Sequence, residues 1–185
     1  QRQMCIRDRQ RPILISTSSI ALQGAIIHDY LPFLSKVMMA DGMLDSPLRA
    51  VLRKGKSHYV CDARLMKRLQ TANLDRKNPL AKAALLSMRD HLDLDMAPHL
   101  SGYDRERICV PPTCDCGKTE CRYLCYLDVC ASERYAIQVC NHNLLLADAI
   151  HQGSGKRPIL PDSCAIVMDE AHKLPETARQ MFGIT

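Results

Sequence analysis

Apolar and polar positions fall into two periods along this chain. Ile13-Leu14-Ile15-Ser16-Thr17, Tyr135-Ala136-Ile137-Gln138-Val139-Cys140 and Ala165-Ile166-Val167-Met168 are short apolar runs, too short for helices. They predict buried strands, and the last reads as an interior strand of a parallel sheet. Helical spacing predicts helices after Ser18 or Ser19 (Ile20 to Ile27), over Asp62 to Leu74, from Pro79 to Leu92 and around Tyr123 to Leu127. Two more begin at Asn141-His142-Asn143 and at Leu174. Pro32, Gly42 and Pro47 read as breakers, which leaves Asp29 to Ser46 as helix ends and loop. Strands alternating with helices place the chain in the α/β class.

Composition narrows the class. Hydrophobic residues make up 46% of 185, enough for a packed core rather than a disordered chain. No apolar run reaches the length of a membrane span and no signal peptide is visible, which points to the cytoplasm. Aromatic residues are 4% with no Trp, so base stacking does not dominate any nucleic-acid contact. The first nine residues, Gln1 to Arg9, read as the translation of a sequencing-library adapter and are set aside. They hold three arginines and one aspartate, so only +3 of the formal +5 belongs to the remainder. That charge permits nucleic-acid binding without demanding it.

The chemistry concentrates at Asp169-Glu170-Ala171-His172, directly after the last strand. In open α/β sheets ligands sit at the carboxyl ends of strands. Two adjacent acids there suit nucleotide hydrolysis: one holds Mg²⁺, the other directs water. Two glycine-containing stretches fail as phosphate loops. Gly153-Ser154-Gly155-Lys156-Arg157 is preceded by Ile150 where the leading glycine belongs and carries Arg157 for the hydroxyl. Gly117-Lys118-Thr119 has Pro112 at the leading position.

Asp169-Glu170-Ala171-His172 is the DEAH form of helicase motif II. With Ile166-Val167-Met168 before it and Lys173-Leu174-Pro175-Glu176 after it, the segment resembles the DinG/XPD-type (Rad3-like) iron–sulfur helicases of superfamily 2. Ile13 to Ser18 is similar to motif Ia of that family, where the residues matching Thr17 and Ser18 meet the phosphate backbone. The physics agrees, since hydroxyls and free N–H groups at a helix start bind phosphate; ordinary capping is compatible with it. Arg53-Lys54-Gly55-Lys56-Ser57-His58-Tyr59-Val60-Cys61 is similar to the segment opening the iron–sulfur domain, with Cys61 as first ligand. Arg53, Lys54 and Lys56 are candidates for DNA phosphates, a solvated basic loop being the alternative. Val139 to Asp148 is similar to the segment re-entering the first motor domain, with Asn141 and His142 near DNA or the cluster domain, or else a capped turn.

Ten cysteines in a chain of this type favour metal over disulfides. Cys109, Cys114, Cys116 and Cys121 crowd one loop, and Cys61 arrives from upstream. Four of these five suit a 4Fe–4S cluster: Cys61, Cys109 and Cys121, with Cys114 or Cys116. No C-x-x-C pair of the structural-zinc kind occurs. Cys125, Cys130, Cys140 and Cys164 read as small buried residues.

The resemblance implies a partial RecA-like (P-loop NTPase) parallel sheet interrupted by a mainly helical cluster domain. Residues 10–50 and 131–185 belong to the first motor domain and 51–130 to the insertion. It implies an ATP-dependent helicase moving 5′→3′ on single-stranded DNA and opening forked DNA, in repair or replication, as a monomer. Asp169 would hold Mg²⁺ of Mg–ATP, Glu170 would activate water and His172 would couple the nucleotide to the DNA motifs. Lacking Walker A and a second motor domain, residues 10–185 are expected to be inactive alone. Two readings of other classes compete: a zinc-stabilised nucleic-acid-binding module without ATPase activity, and an iron–sulfur electron carrier.

Overall fold

β-Branched and aliphatic residues at Ile13, Leu14 and Ile15 form the strand around which the sheet is laid. A computed structural model of the chain describes residues 11–71, 79–114, 121–132 and 135–183. Its strands are β1 (Ile13–Thr17), β2 (Ala50–Leu52), β3 (Ile137–Asn141) and β4 (Ala165–Met168), all parallel, in the order β2-β3-β1-β4. Its α-helices are α1 (Ile20–Ala25), α2 (Leu31–Ala40), α3 (Asp62–Thr71), α4 (Pro79–Ser87), α5 (Gly102–Ile108), α6 (Arg122–Ala131), α7 (His142–Gly153) and α8 (Leu174–Phe182). This mixed α/β arrangement is consistent with part of a RecA-like fold. The chain divides into two compact units, Gln1–Lys54 with Cys130–Thr185, and Gly55–Val129.

In the first unit the sheet buries side chains on both faces, as parallel sheets do. Leu14 and Cys140 pack with Leu144 and Leu160, while Ile137 and Val139 pack with Ile26 and Leu31. Neighbouring residues of β3 therefore face opposite layers, following the period of two. Burial of each such aliphatic side chain contributes about 1.5–3 kcal/mol. Gln138 is buried too, and is held by polar partners: it accepts from Arg53 Nη1 at 2.9 Å and donates to the Cys130 carbonyl at 2.6 Å. Arg53 Nη2 also donates to the Ile159 carbonyl at 2.9 Å. The expectation that Arg53 reaches DNA phosphates is thus corrected. Arg53 is 4% exposed, and its guanidinium fastens β3 to the loop before β4.

Four further differences from the sequence expectation have local causes. Among the described residues β4, expected as an interior strand, pairs with β1 alone, and Ile166, Val167 and Met168 are about half exposed. An apolar run signals a strand, but the sheet order decides which strands flank it. Pro32 does not break the helix. It sits in the first turn of α2, where no N–H is needed, after a π-turn at Ile26–Tyr30 that absorbs the change in register. β2 escapes the pattern because it has three residues and depends on pairing with β3. Cys125 and Cys164 are exposed, whereas Cys130 and Cys140 are buried as expected.

The second unit is mainly helical. Val60, Leu65, Leu85, Met88, Leu94 and Ile108 form its core, and Tyr59, Cys61 and Val110 pack with Tyr123 and Tyr126 beside it. Isolated antiparallel bridges join Tyr59 to Asp93 and Val60 to Cys109. α5 was not visible in the apolar pattern. Its signal is the cap: Ser101 accepts from the Asp104 amide at 3.0 Å, and Asp104 pairs with Arg68 of α3 at 2.6 Å. Asp93 and Asp95 are structural: Asp93 caps a 3₁₀ turn and Asp95 pairs with Arg105 at 2.8 Å.

Candidate functional site

The parallel register brings three strand ends level. Ser16 is opposite both Cys140 and Met168, and Thr17 is opposite Asn141. One residue beyond Met168, the Asp169 amide donates to the Ser16 carbonyl at 2.8 Å, so Asp169 stands beside Thr17. The Thr17 hydroxyl then donates to Asp169 Oδ2 at 3.1 Å and fixes the orientation of that carboxylate. The acids predicted to act on nucleotide lie at the carboxyl edge of the sheet, where α/β folds place ligands.

Glu170 turns the chain away from β4. Its φ of 48° lies in the left-handed region, and it is the only described non-glycine residue with positive φ. Such a conformation costs about 1–2 kcal/mol for a residue with a Cβ. The turn folds the side chain back over the end of β1, where Ser18 Oγ donates to Oε2. Lys173 Nζ lies 3.0 Å from each carboxylate oxygen and 3.2 Å from Ser18 Oγ. The Ser18 hydroxyl first, then Lys173, hold the Glu170 carboxyl below the usual carboxylate range. Ser18, Glu170 and Lys173 form one cluster, and Lys173 is a member that motif reading passed over. The available signal was its spacing of three from Glu170, which places both on one side of a helical turn. His172 is exposed within that turn, Ala171–Lys173.

The end of β3 is polar and largely internal. Asn141 caps α7, accepting from the Leu144 amide at 2.8 Å. His142 is 2% exposed, with Nδ1 2.7 Å from Ser16 Oγ. Its Nε2 is buried without a hydrogen-bond partner among the described residues. Cys140, fully buried next to Ser16, has its thiol pushed up to about 11, mainly by burial. Among the residues considered for DNA contact, Thr17 is also fully buried. Ser18 and Lys54 are half-buried; Lys56 is exposed and donates to the Pro112 carbonyl.

The cysteines expected at a metal lie in the second unit, except that Cys116 is outside the described residues. Cys61 is buried, Cys109 and Cys121 are half-buried and Cys114 is exposed. The Cys61 amide donates to the Ile108 carbonyl at 2.8 Å, which sets the Cys61 and Cys109 segments side by side. Arg122 and Asp62, each one residue after a predicted ligand, pair at 2.6 Å and tie the Cys121 segment to the Cys61 segment. Arg64 Nη1 donates to the Cys109 carbonyl at 2.8 Å and stands 3.8 Å from its sulfur. These contacts tie the segments that carry Cys61, Cys109 and Cys121 to one another. Among the described residues, no three His, Cys, Asp or Glu side chains gather closely enough to share a metal ion.

No family model matches the chain. It is 29% identical over 183 residues to the ATP-dependent DNA helicase YoaA of Escherichia coli (strain K12), covering 94% of this chain and 28% of that protein. It is 27% identical over 188 residues to the ATP-dependent DNA helicase YoaA of Haemophilus influenzae (strain ATCC 51907 / DSM 11121 / KW20 / Rd), covering 92% of this chain and 27% of that protein. The chain thus spans little more than a quarter of the length of these relatives. A similarity covering over nine-tenths of the chain takes in both the sheet and the inserted unit, and supports a helicase-related family.

Proposed function

We propose that this chain is the latter part of the first motor domain of an ATP-dependent DNA helicase, with Gly55–Val129 as its iron–sulfur insertion. The observation that carries this is the delivery of Asp169 and Glu170 to the carboxyl edge of a parallel sheet, with Thr17 and Ser18 hydroxyls on their carboxylates. Asp169 binds the magnesium of the Mg–ATP substrate, oriented by Thr17. Glu170 accepts a hydrogen bond from the attacking water, and His172 links this turn to the strand-binding surface. Ser18, Lys54 and Lys56 supply contacts to the phosphates of single-stranded DNA. Thr17, Asn141 and His142 shape the strand ends from inside. Binding through phosphates makes the grip salt-sensitive and largely sequence-independent. Translocation is 5′→3′, with unwinding of forked duplex.

Cys61, Cys109 and Cys121, with Cys114 or Cys116, hold a 4Fe–4S cluster. When bound, the cluster cross-links the insertion and serves its rigidity, not electron transfer. Residues 10–185 by themselves do not turn over ATP, because their sequence contains no G-x-x-x-x-G-K-[ST] loop to wrap the phosphates.

The test uses the full-length protein that contains this chain. Asp169→Asn and Glu170→Gln each lower ATP turnover stimulated by single-stranded DNA by about 10²-fold or more. Turnover equal to wild type in both variants would refute the motor reading.

A further inference from the structure

Ser18 has one hydroxyl proton, and two anions have a claim on it. In the structure the proton goes to Glu170 Oε2. On the helicase reading, the same hydroxyl also serves a phosphate of the bound strand. It cannot donate to both at once. Lys173 is in the same position: its ammonium lies 3.0 Å from both oxygens of Glu170 and 3.2 Å from Ser18 Oγ, and it too suits a phosphate.

We propose that Ser18 and Lys173 form a latch on Glu170, and that a phosphate of single-stranded nucleic acid opens it by replacing the Glu170 carboxylate as their partner. The inference rests on the helicase reading, in which Glu170 directs the attacking water. In the latched state both carboxylate oxygens are engaged, Oε2 by Ser18 and Lys173 and Oε1 by Lys173, so the carboxylate is held by these partners rather than free to turn to a water. The Lys173–Glu170 pair is partly exposed, with side chains 47% and 34% accessible, and such pairs are weak in water. A polyanion can therefore displace the carboxylate. Ser18 and Lys173 are positioning residues here: they act through Glu170.

Linkage makes the latch testable from the opposite side. If strand binding frees Glu170, removing its carboxylate must favour strand binding by the same factor. The experiment measures the affinity of a dye-labelled oligothymidylate for the full-length protein at fixed salt, together with ATP turnover with and without it. Glu170→Ala tightens binding by about 5-fold or more, although Glu170 does not touch the strand. Loss of any nearby negative charge also favours DNA, so a double-mutant cycle decides. In a Ser18→Ala background the gain from Glu170→Ala shrinks to under about 2-fold. Lys173→Met raises turnover without DNA by about 3-fold or more and so narrows the stimulation by DNA. No gain in Glu170→Ala, an equal gain in both backgrounds, or unchanged basal turnover in Lys173→Met each overturns the latch. If the wild-type protein neither binds the oligonucleotide nor hydrolyses ATP, the helicase reading falls and the latch with it. If the wild type does both and the cycle is additive, only the latch falls.

Discussion

Ser16 Oγ and His142 Nδ1 lie 2.7 Å apart in the protein interior, joining the end of β1 to the first residue of α7 across 126 residues of sequence. The same Ser16 receives the Asp169 amide through its backbone carbonyl, so the pair underlies the position of the acidic turn. Asparagine keeps a polar atom near the place of Nδ1 and removes the unpartnered Nε2. His142→Asn is therefore expected to stay within about 1 kcal/mol of wild type, while His142→Leu loses about 1–3 kcal/mol by leaving a buried hydroxyl short of a partner. Urea denaturation of the chain followed by circular dichroism distinguishes the two.

Arg53 carries a second buried polar link. Arg53→Met strands the Gln138 Oε1 acceptor and the Ile159 carbonyl and is expected to lower stability by about 2–4 kcal/mol. Lysine restores only part of this, because one ammonium cannot reproduce the two-pronged geometry of a guanidinium. DNA affinity of folded Arg53→Lys protein should match wild type, since the side chain is 4% exposed. A clear loss of affinity, measured by anisotropy at fixed salt, would return Arg53 to the DNA surface.

Cys140 should behave as an inert thiol. Burial raises it from 9.0 to about 11, against smaller opposing effects of the Ser16 hydroxyl and Arg53. Iodoacetamide at pH 8 should label exposed Cys125 and Cys164 in the native chain and spare Cys140, as read by mass spectrometry. The folded state favours the neutral thiol. The stability this gives is complete below pH 9.0, where the unfolded thiol is protonated too, and is lost as the pH rises towards 11. The loss amounts to about 3 kcal/mol. Cys140→Ala should show a flatter decline over that window.

The cysteine assignment separates ligands from bystanders. In anaerobically purified full-length protein, Cys61→Ser, Cys109→Ser and Cys121→Ser should each lose most iron and acid-labile sulfide. Only one of Cys114→Ser and Cys116→Ser should do so. Cys125→Ala and Cys130→Ala should keep both elements, because both lie on α6, outside the loop that carries Cys109 to Cys121, and Cys130 is buried at the helix end, where its carbonyl accepts from Gln138. One zinc and no sulfide in the wild-type protein would replace the cluster with a zinc site.

What the amino-acid sequence determined by itself is the local content of the fold. Apolar runs marked β1, β3 and β4 because they are too short for a helix and rich in β-branched residues, the mark of a strand buried on both faces. Ser19 and Asn141 marked helix starts because their side chains accept from amides three residues on. The acids at Asp169 and Glu170 were legible as a strand-end pair for the same local reason.

The tertiary structure decided everything that depends on partners far along the chain. Sheet order gave β4 only β1 as a neighbour among the described residues and left its apolar side chains half exposed, which no run of four residues can signal. Long-range pairing turned Arg53 and His142 inward, against their polar character, because Gln138, Ile159 and Ser16 were there to receive them. It also set Ser18 over Glu170 across 152 residues and closed the cluster with Lys173. Periodicity and caps are written in neighbouring residues. The partner of a buried or strained polar group is chosen only when the strands align.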